Sequence, residues 1–428
     1  MLKEIPSRDV ELGMFIERFK GSWFKHPFWR ARFLLSDTAT LRVLQSSKID
    51  GVVINLAKGR DLTTASDLAP PAPARASAAP VRSRPAAPAA QAPLPGRTAD
   101  LRSTNRQTMA REFGKASAVA GKSHKFVAKI FLESRLGKAI DASSLEPVVD
   151  DIFCSIQRNP HAFNGLLRCK QGSQFTYRHA LAACGLMISL GRKMNLPSDE
   201  IRMAGMAGLL MDIGVGHLPI HLATVDGDFR QLDSGILHQH PVLGYNFLMS
   251  TGRDVPAAVA TVCLQHHERF DGSGYPNGLS GESISKLARM AAICDHYDWQ
   301  VSDGADARGL NPARAIEELT ANTGKFDPAI AREFAEMMGF YPIGTVVQLS
   351  SGRLAMVVDQ AASHDTRPLV RTFFSIVTGK MIKPESIALA ECFGQDSIVG
   401  VINPEDYGIE NLAFLRDRTF TDACNARG

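Results

Sequence analysis

Residues 255–276 read VPAAVATVCLQHHERFDGSGYP. Val255, Val259, Val262 and His266 fall at spacings of 4, 7 and 11, which puts them on one face of a helix. A histidine pair, His266-His267, ends that helix, and a glycine-rich loop, Asp271 to Pro276, follows it. The same phase recurs on three more segments. His179, Ala183, Leu186 and Leu190 share a stripe, as do Ile201, Gly205, Gly208 and Asp212, and Ile284, Leu287, Ala288, Ala291 and Asp295. Four helices therefore each aim one ionisable group inward along an apolar face. A lone carboxylate there is costly to bury unless it is paired, hydrogen-bonded or coordinated. Two readings of the pattern stay open: a dinuclear metal site built inside a helical bundle, or a polar core network of His–Asp hydrogen bonds without metal. Mixed nitrogen and oxygen ligands suit iron, manganese or zinc better than magnesium.

Outward from this core the pattern stays helical from about Ser103 to Met338, with turn signals such as Asn195-Leu196-Pro197-Ser198. There is no βαβ alternation and no GxGxxG, so a doubly wound nucleotide-binding sheet is not expected. After Gly344 short β patterns take over: Val346 to Leu349, Ala355 to Val358 and Leu369 to Ile376, with turns at Ser350-Ser351-Gly352 and Thr378-Gly379. At the other end, Val10, Leu12, Met14 and Ile16 alternate over Asp9–Glu17, which predicts a half-buried strand. Ile49 to Leu56 predicts a second, and Gly21 to Phe24 and His26 to Trp29 are aromatic turn stretches. Ala69 to Arg97 holds 11 Ala and 8 Pro in 29 residues with no acid, the composition of a semi-extended linker. The expected architecture is mainly α. A helical bundle over 103–340 follows a small, mostly β domain at 1–65 and a linker at 66–102, and precedes a small β appendage at 341–428.

Composition narrows the function classes. The chain has 428 residues, 45% hydrophobic and 21% charged, with a net charge of +4. That charge is too small for its size to mark a DNA- or RNA-binding face. The longest uncharged apolar run, Ala180 to Leu190, is too short to span a bilayer. The N-terminus lacks the apolar region of a secretory signal. Seven scattered cysteines with no CxxC pair fit reduced thiols. A cytoplasmic protein is the expectation.

The segment HHERFDGSGYP at 266–276 resembles the signature of HD-GYP domains, bacterial phosphodiesterases of the cyclic dinucleotide c-di-GMP. Thr176-Tyr177-Arg178-His179, Asp212-Ile213-Gly214, His240-Pro241, Ile293-Cys294-Asp295 with Tyr297-Asp298, Phe326-Asp327-Pro328 and Tyr341-Pro342-Ile343-Gly344 resemble the family's other segments in order. Residues 1–65 are similar to the small domain often fused ahead of it. The resemblance implies an HD-type bundle in which His179, Asp212, His240, His266, His267 and Asp295 ligate a dinuclear iron or manganese centre. It implies that Asp212 bridges the metals and that Asp212, His266 and His267 carry the catalysis. A metal-bound hydroxide would attack phosphorus in line, giving a linear dinucleotide or GMP. Gly274, Tyr275 and Pro276 would form a loop beside the substrate, and the same loop resembles a docking surface for GGDEF-type diguanylate cyclases. Association as a homodimer is a further expectation, and signal transduction is the implied setting.

The sequence departs from that pattern at several places. The HD dipeptide is Met211-Asp212, so one histidine ligand is replaced by a soft thioether. Val215 stands where the family carries a phosphate-binding Lys, and Gly304 where it usually carries an Arg, with Arg308 a turn further on as a partial substitute. Phe175 stands where three-metal members carry a Glu, so at most two metals are expected. Two lost charge-assisted contacts, at about 1.5–3 kcal/mol each, weaken phosphate binding by roughly two to four powers of ten if they add. Three functions follow for testing: an attenuated c-di-GMP phosphodiesterase, a catalytically inactive module that binds c-di-GMP or a partner protein, and a phosphohydrolase acting on another nucleotide.

Overall fold

The computed structural model describes residues 2–20, 33–35, 51–60, 107–170, 174–220, 227–304, 308–321, 324–360, 366–392 and 395–426, with single positions 38, 41, 45 and 225. The aromatic stretches at 21–29 and the linker at 69–97 lie outside these residues. The chain divides into two compact units, Met1–Asn105 and Arg106–Gly428.

In the first unit, strands β1 (Leu2–Ile5), β2 (Phe15–Lys20), β3 (Phe33–Leu34) and β4 (Gly51–Asn55) form an antiparallel sheet in the order β1-β4-β2-β3. Val10, Met14 and Ile16 are buried with Ile5, Leu35, Val52 and Ile54, as the alternation requires. They are not on one strand, however. A 3-10 turn at Ser7–Asp9 and a reversal at Gly13, whose φ is +88°, come first, and the strand begins only at Phe15. Glycine alone adopts that φ at little cost, and Gly13 N–H and C=O then bond Leu35 O and Arg60 N, fixing the turn in the sheet.

The second unit is built around α4 (Phe175–Lys193), which is buried on nearly every side; a helix apolar all round belongs at the centre of its bundle. Around it lie α1 (Met109–Arg135), α2 (Ala142–Arg158), α3 (Ala162–Cys169) and α5 (Ser198–Leu210), followed by a 3-10 turn at Ile213–His217. The short α6 (Ser234–Leu237) leads to α7 (His240–Thr251), α8 (Ala257–Gln265) and α9 (Lys286–Val301). Beyond them come α10 (Pro312–Ala321) and α11 (Pro328–Met338). Gly208 is what lets α5 approach α4: a Cβ there would sit 2.8 Å from the carbonyl carbon and oxygen of Ala183. That closeness brings the end of α5, and with it Asp212, to the level of His179. No described helix is long and apolar enough to cross a membrane.

Strands β5 (Val346–Leu349), β6 (Arg353–Asp359), β7 (Leu369–Ser375), β8 (Lys380–Met381), β9 (Ser386–Ala388) and β10 (Ile398–Val401) make a second antiparallel sheet. Its order is β10-β5-β6-β7-β8, with β9 on β7. The chain then returns to helix. α12 (Leu412–Asn425), which the sequence reading did not anticipate, lays Phe420 edge-on against Phe113 of α1 at 5.7 Å. Asp396 ties the β5–β6 turn to the strand after it. Its carboxylate accepts Ser350 Oγ at 2.9 Å, Ser351 Oγ at 2.7 Å and an Arg353 guanidinium N–H at 3.0 Å. Burial pushes this carboxyl up, but the serines and Arg353 outweigh it and hold it below the usual range. Asp396→Ala is expected to destabilise the second unit by about 1–3 kcal/mol, read as a lower midpoint of chemical unfolding. Because the folded pKa is depressed, this contribution is present above the ordinary carboxylate pKa and is lost as the pH falls through the lowered folded value.

Candidate metal centre

The ends of four helices and the middle of a fifth converge on one buried spot. His179 sits one turn into α4 and Asp295 in the middle of α9; His240 opens α7, and His266 and His267 follow α8. Asp212 follows α5 and precedes the 3-10 turn. It lies past the helix end, not on the last turn of the stripe, which turns its carboxylate across the space between the imidazoles. His179, His240 and His266 are fully buried, and Asp212 and Asp295 are 1% and 4% exposed.

Ring protonation follows from the outer contacts. His240 Nδ1 lies 2.6 Å from the Leu237 carbonyl and His266 Nδ1 2.8 Å from that of Cys263. A carbonyl only accepts, so both Nδ1 atoms carry hydrogen, and in the neutral rings both Nε2 atoms are bare. Those two Nε2 atoms face each other at 3.2 Å. Two lone pairs at that distance make no bond. Asp212 Oδ1 stands 3.3 and 3.5 Å from them, and neither of its carboxylate oxygens has a hydrogen-bond partner although both are buried. Bare nitrogens around a carboxylate whose oxygens make no hydrogen bond are favourable around a cation. Ligand atoms of Asp212, His240, His266 and His267 all lie within 4.8 Å of one another. Metal–ligand bonds of about 2.0–2.2 Å are compatible with that span, so the residues fit a metal ion.

Asp212 Oδ2 faces a second, poorer group. His179 Nε2 is 3.3 Å from it and 3.1 Å from Asp295 Oδ1. His179 Nδ1 donates to Asp298 Oδ2 at 2.7 Å, which fixes the ring and points Nε2 at the centre. Among the described residues this side offers three candidate ligand groups, and Met211 is buried beside Asp212. The charges reinforce one another in the metal-free chain. Burial pushes the His179 imidazole down, but Asp212, Asp295 and Asp298 outweigh it and hold it well above its ordinary value. Burial pushes Asp212 up, and His179, His240 and His266 hold it well below the carboxylate range. Burial, with His266 and His240 beside it, keeps His267 well below its ordinary value and hence neutral.

The loop at 274–276 closes over this centre. Tyr275 N–H donates to His267 O at 3.2 Å, and its ring stacks on His267 at 4.7 Å. His238 is exposed and stacks on Tyr275 as well, at 4.0 Å. Gly274 admits no side chain: a Cβ would lie 2.5 Å from His267 O and 2.3 Å from Arg269 N. Pro276 follows a cis peptide bond. Asp271 accepts the Ser273 N–H at 2.9 Å and Oγ–H at 2.6 Å, shaping the turn.

Sequence reasoning missed Glu268 and gave Asp298 no role. Glu268 is 1% exposed and accepts the N–H groups of Asn277 at 2.8 Å and Leu279 at 2.9 Å, so it ties the far side of the loop to the histidine pair. Its place inside the quoted motif was the available signal. Glu268→Gln leaves one of those N–H groups facing an amide NH2. It is expected to lower stability by about 1–3 kcal/mol and to raise loop proteolysis, measured by limited digestion.

Arg308 is not brought to the cluster by any described contact; its guanidinium pairs with Glu405 at 2.9 Å. His217 does not fill the gap at Met211, since its Nε2 bonds Ser134 Oγ at 2.6 Å. Val215 and Phe175 join Leu218 and Phe229 in an apolar wall, with Trp299 packed on it. Phe175 stacks on His179 at 5.0 Å.

Residues 166–330 match the model of the HD domain, and residues 2–145 match that of a domain of unknown function (DUF3391). The cyclic di-GMP phosphodiesterase PA4108 of Pseudomonas aeruginosa is 38% identical over 413 residues, covering 96% of this chain and 95% of that protein. The cyclic di-GMP phosphodiesterase response regulator RpfG of Xanthomonas campestris is 32% identical over 140 residues, 32% of this chain and 37% of that protein. Among solved structures, Bd1817, an HD-GYP-type protein from Bdellovibrio bacteriovorus, aligns over 79% of this chain and 99% of its own at 15% identity, with a TM-score of 0.44.

Proposed function

Because this chain belongs to the HD-GYP family, we propose that it is a metal-dependent phosphodiesterase that opens cyclic di-GMP to the linear dinucleotide or GMP. The observation that carries this reading is the Asp212 carboxylate, buried between imidazoles with both oxygens unpartnered. Asp212, His240, His266 and His267 would hold one divalent cation, and His179, Asp295 and the second oxygen of Asp212 would hold another more weakly. Iron or manganese suits this nitrogen–oxygen set. Bound there, such ions supply Lewis-acid polarisation of a phosphoryl oxygen and make water acidic enough to act as a nucleophile near neutral pH.

The chain's own residues prepare the site. Asp298 holds His179 in the tautomer whose Nε2 faces inward. The Leu237 and Cys263 carbonyls do the same for His240 and His266. Gly274, Tyr275 and Pro276 form the lip over which the dinucleotide lies, with Tyr275 offering an aromatic face. The wall of Phe175, Val215, Leu218 and Phe229 lines the side of His179 with apolar surface.

Protein reconstituted with manganese or ferrous iron and given cyclic di-GMP should release linear product. Turnover no greater than that of a His266→Ala control overturns the reading. A second reading, a module that binds cyclic di-GMP or a GGDEF-type cyclase without turnover, is favoured by Met211 in the ligand position. Calorimetric binding of the nucleotide or the cyclase with no product formed would select it.

A further inference from the structure

Four arginines, Arg168, Arg178, Arg230 and Arg416, gather around Asp303 in the loop after α9. Arg230 forms a two-pronged pair with Asp228 at 2.8 and 2.6 Å and also donates to the carbonyls of Ser302 at 3.0 Å and Asp303 at 2.7 Å. Arg416, brought by α12, pairs with the Asp303 carboxylate. Asp298, also nearby, is taken by His179 Nδ1. Among the described residues these three carboxylates are thus already engaged, while two guanidiniums are left over. Among the described residues, Arg168 and Arg178 donate no hydrogen bond and form no ion pair, and Arg168 Nε is wholly buried without a partner. Both feel Arg416 through space. Burial and Arg416 push Arg168 down to about 10. Burial also lowers Arg178, with Asp298 acting against it and Arg230 with it.

A half-buried guanidinium whose neighbouring carboxylates, among the described residues, are bonded to other partners is unfavourable unless an anion completes it. The position identifies the anion. Arg178 adjoins His179 in the chain, and its Cζ lies 5.8 Å from the ring of Phe175, which stacks on His179 at 5.0 Å. Arg230 Cζ lies over the same ring at 3.7 Å, so both guanidiniums sit by the aromatic ring that stacks on the metal-side imidazole. A cyclic dinucleotide carries two phosphodiesters, and only one can react at the metal centre. A guanidinium's planar fork matches a phosphodiester's two free oxygens.

We infer that Arg178 binds the second, non-reacting phosphodiester of the substrate, so that the sequence segment containing His179 also supplies the anchor that orients the dinucleotide. This rests on the reading of the chain as a cyclic di-GMP phosphodiesterase.

The test is Arg178→Gln, with Arg178→Lys as the conservative partner. For Arg178→Gln, KM for cyclic di-GMP should rise about 10- to 100-fold while kcat stays within about threefold, and Arg178→Lys should recover part of the loss. The melting temperature of Arg178→Gln should equal or exceed that of the parent, because an uncompensated charge has been removed; an arginine with only a structural role would lower it. An unchanged KM, or a fall in melting temperature with kcat and KM moving together, overturns the inference. Should the parent neither bind nor turn over cyclic di-GMP, the functional reading is lost. The anion site is then judged with inorganic phosphate as the probe. Thermal stabilisation by phosphate that disappears in Arg178→Gln sustains it, and no stabilisation of the parent overturns it.

Discussion

Replacing Asp212 by asparagine is expected to empty the metal centre and to lower turnover of cyclic di-GMP by about three powers of ten or more. The carboxylate touches both halves of the site: Oδ1 is 3.3 Å from His240 Nε2, and Oδ2 is 3.3 Å from His179 Nε2. Asparagine keeps the shape and removes the charge. One of its two terminal atoms then becomes an NH2 donor, which cannot ligate a cation. Three imidazoles would remain on one side and His179 with Asp295 on the other, without the carboxylate that faces both. Elemental analysis after dialysis checks the metal directly. Thermal unfolding gives a second readout, since an ion bound only by the folded chain stabilises it by about 2.7 kcal/mol at one hundred times its Kd. Chelator should therefore lower the melting temperature of the parent and leave that of Asp212→Asn nearly unmoved. A variant that keeps its metal and its rate would remove Asp212 from the centre of the site.

The stripe that placed Asp212, His179, His266 and Asp295 inside the bundle was legible because helical phase is a local property: residues 4, 7 and 11 apart share a face wherever the helix packs. Glu268 was not legible, because its role depends on a loop that folds back nine and eleven residues later to present two N–H groups. α12 was hidden for a different reason. Its inward face carries Arg416 and Thr419 beside Phe420, Ala423 and Cys424. The arginine is there to meet Asp303, more than a hundred residues earlier, so the apolar periodicity that marks an amphipathic helix is broken by a tertiary pairing. In the first unit the alternation of Val10, Met14 and Ile16 identified what is buried. A period of two did not reveal that Gly13 reverses the chain between them.

The second large effect is a gain. Met211→His is expected to raise bound metal from about one ion per chain towards two, since an open group of three protein ligands becomes four. Turnover should rise at least about tenfold, the scale on which ligand-shell changes alter metal affinity and activity. Met211 is fully buried, directly precedes Asp212, and its carbonyl lies 3.1 Å from Cys263 Sγ, so its backbone is held in place. A methionine and a histidine fill comparable space, and the substitution exchanges a soft thioether for the nitrogen ligand that iron or manganese prefers. Restoring lysine at position 215 is a different matter. Val215 is fully buried among Phe175, Leu218 and Phe229. An ammonium there would be desolvated in an apolar wall, at an effective penalty of several kcal/mol, so Val215→Lys should destabilise the bundle and mask any benefit at the site. The single Met211→His substitution is therefore the informative one. Metal content is read by elemental analysis alongside the rate. Stoichiometry that stays at the parental value would show that His179 and Asp295 hold no ion of their own and serve the first metal's ligands through Asp212.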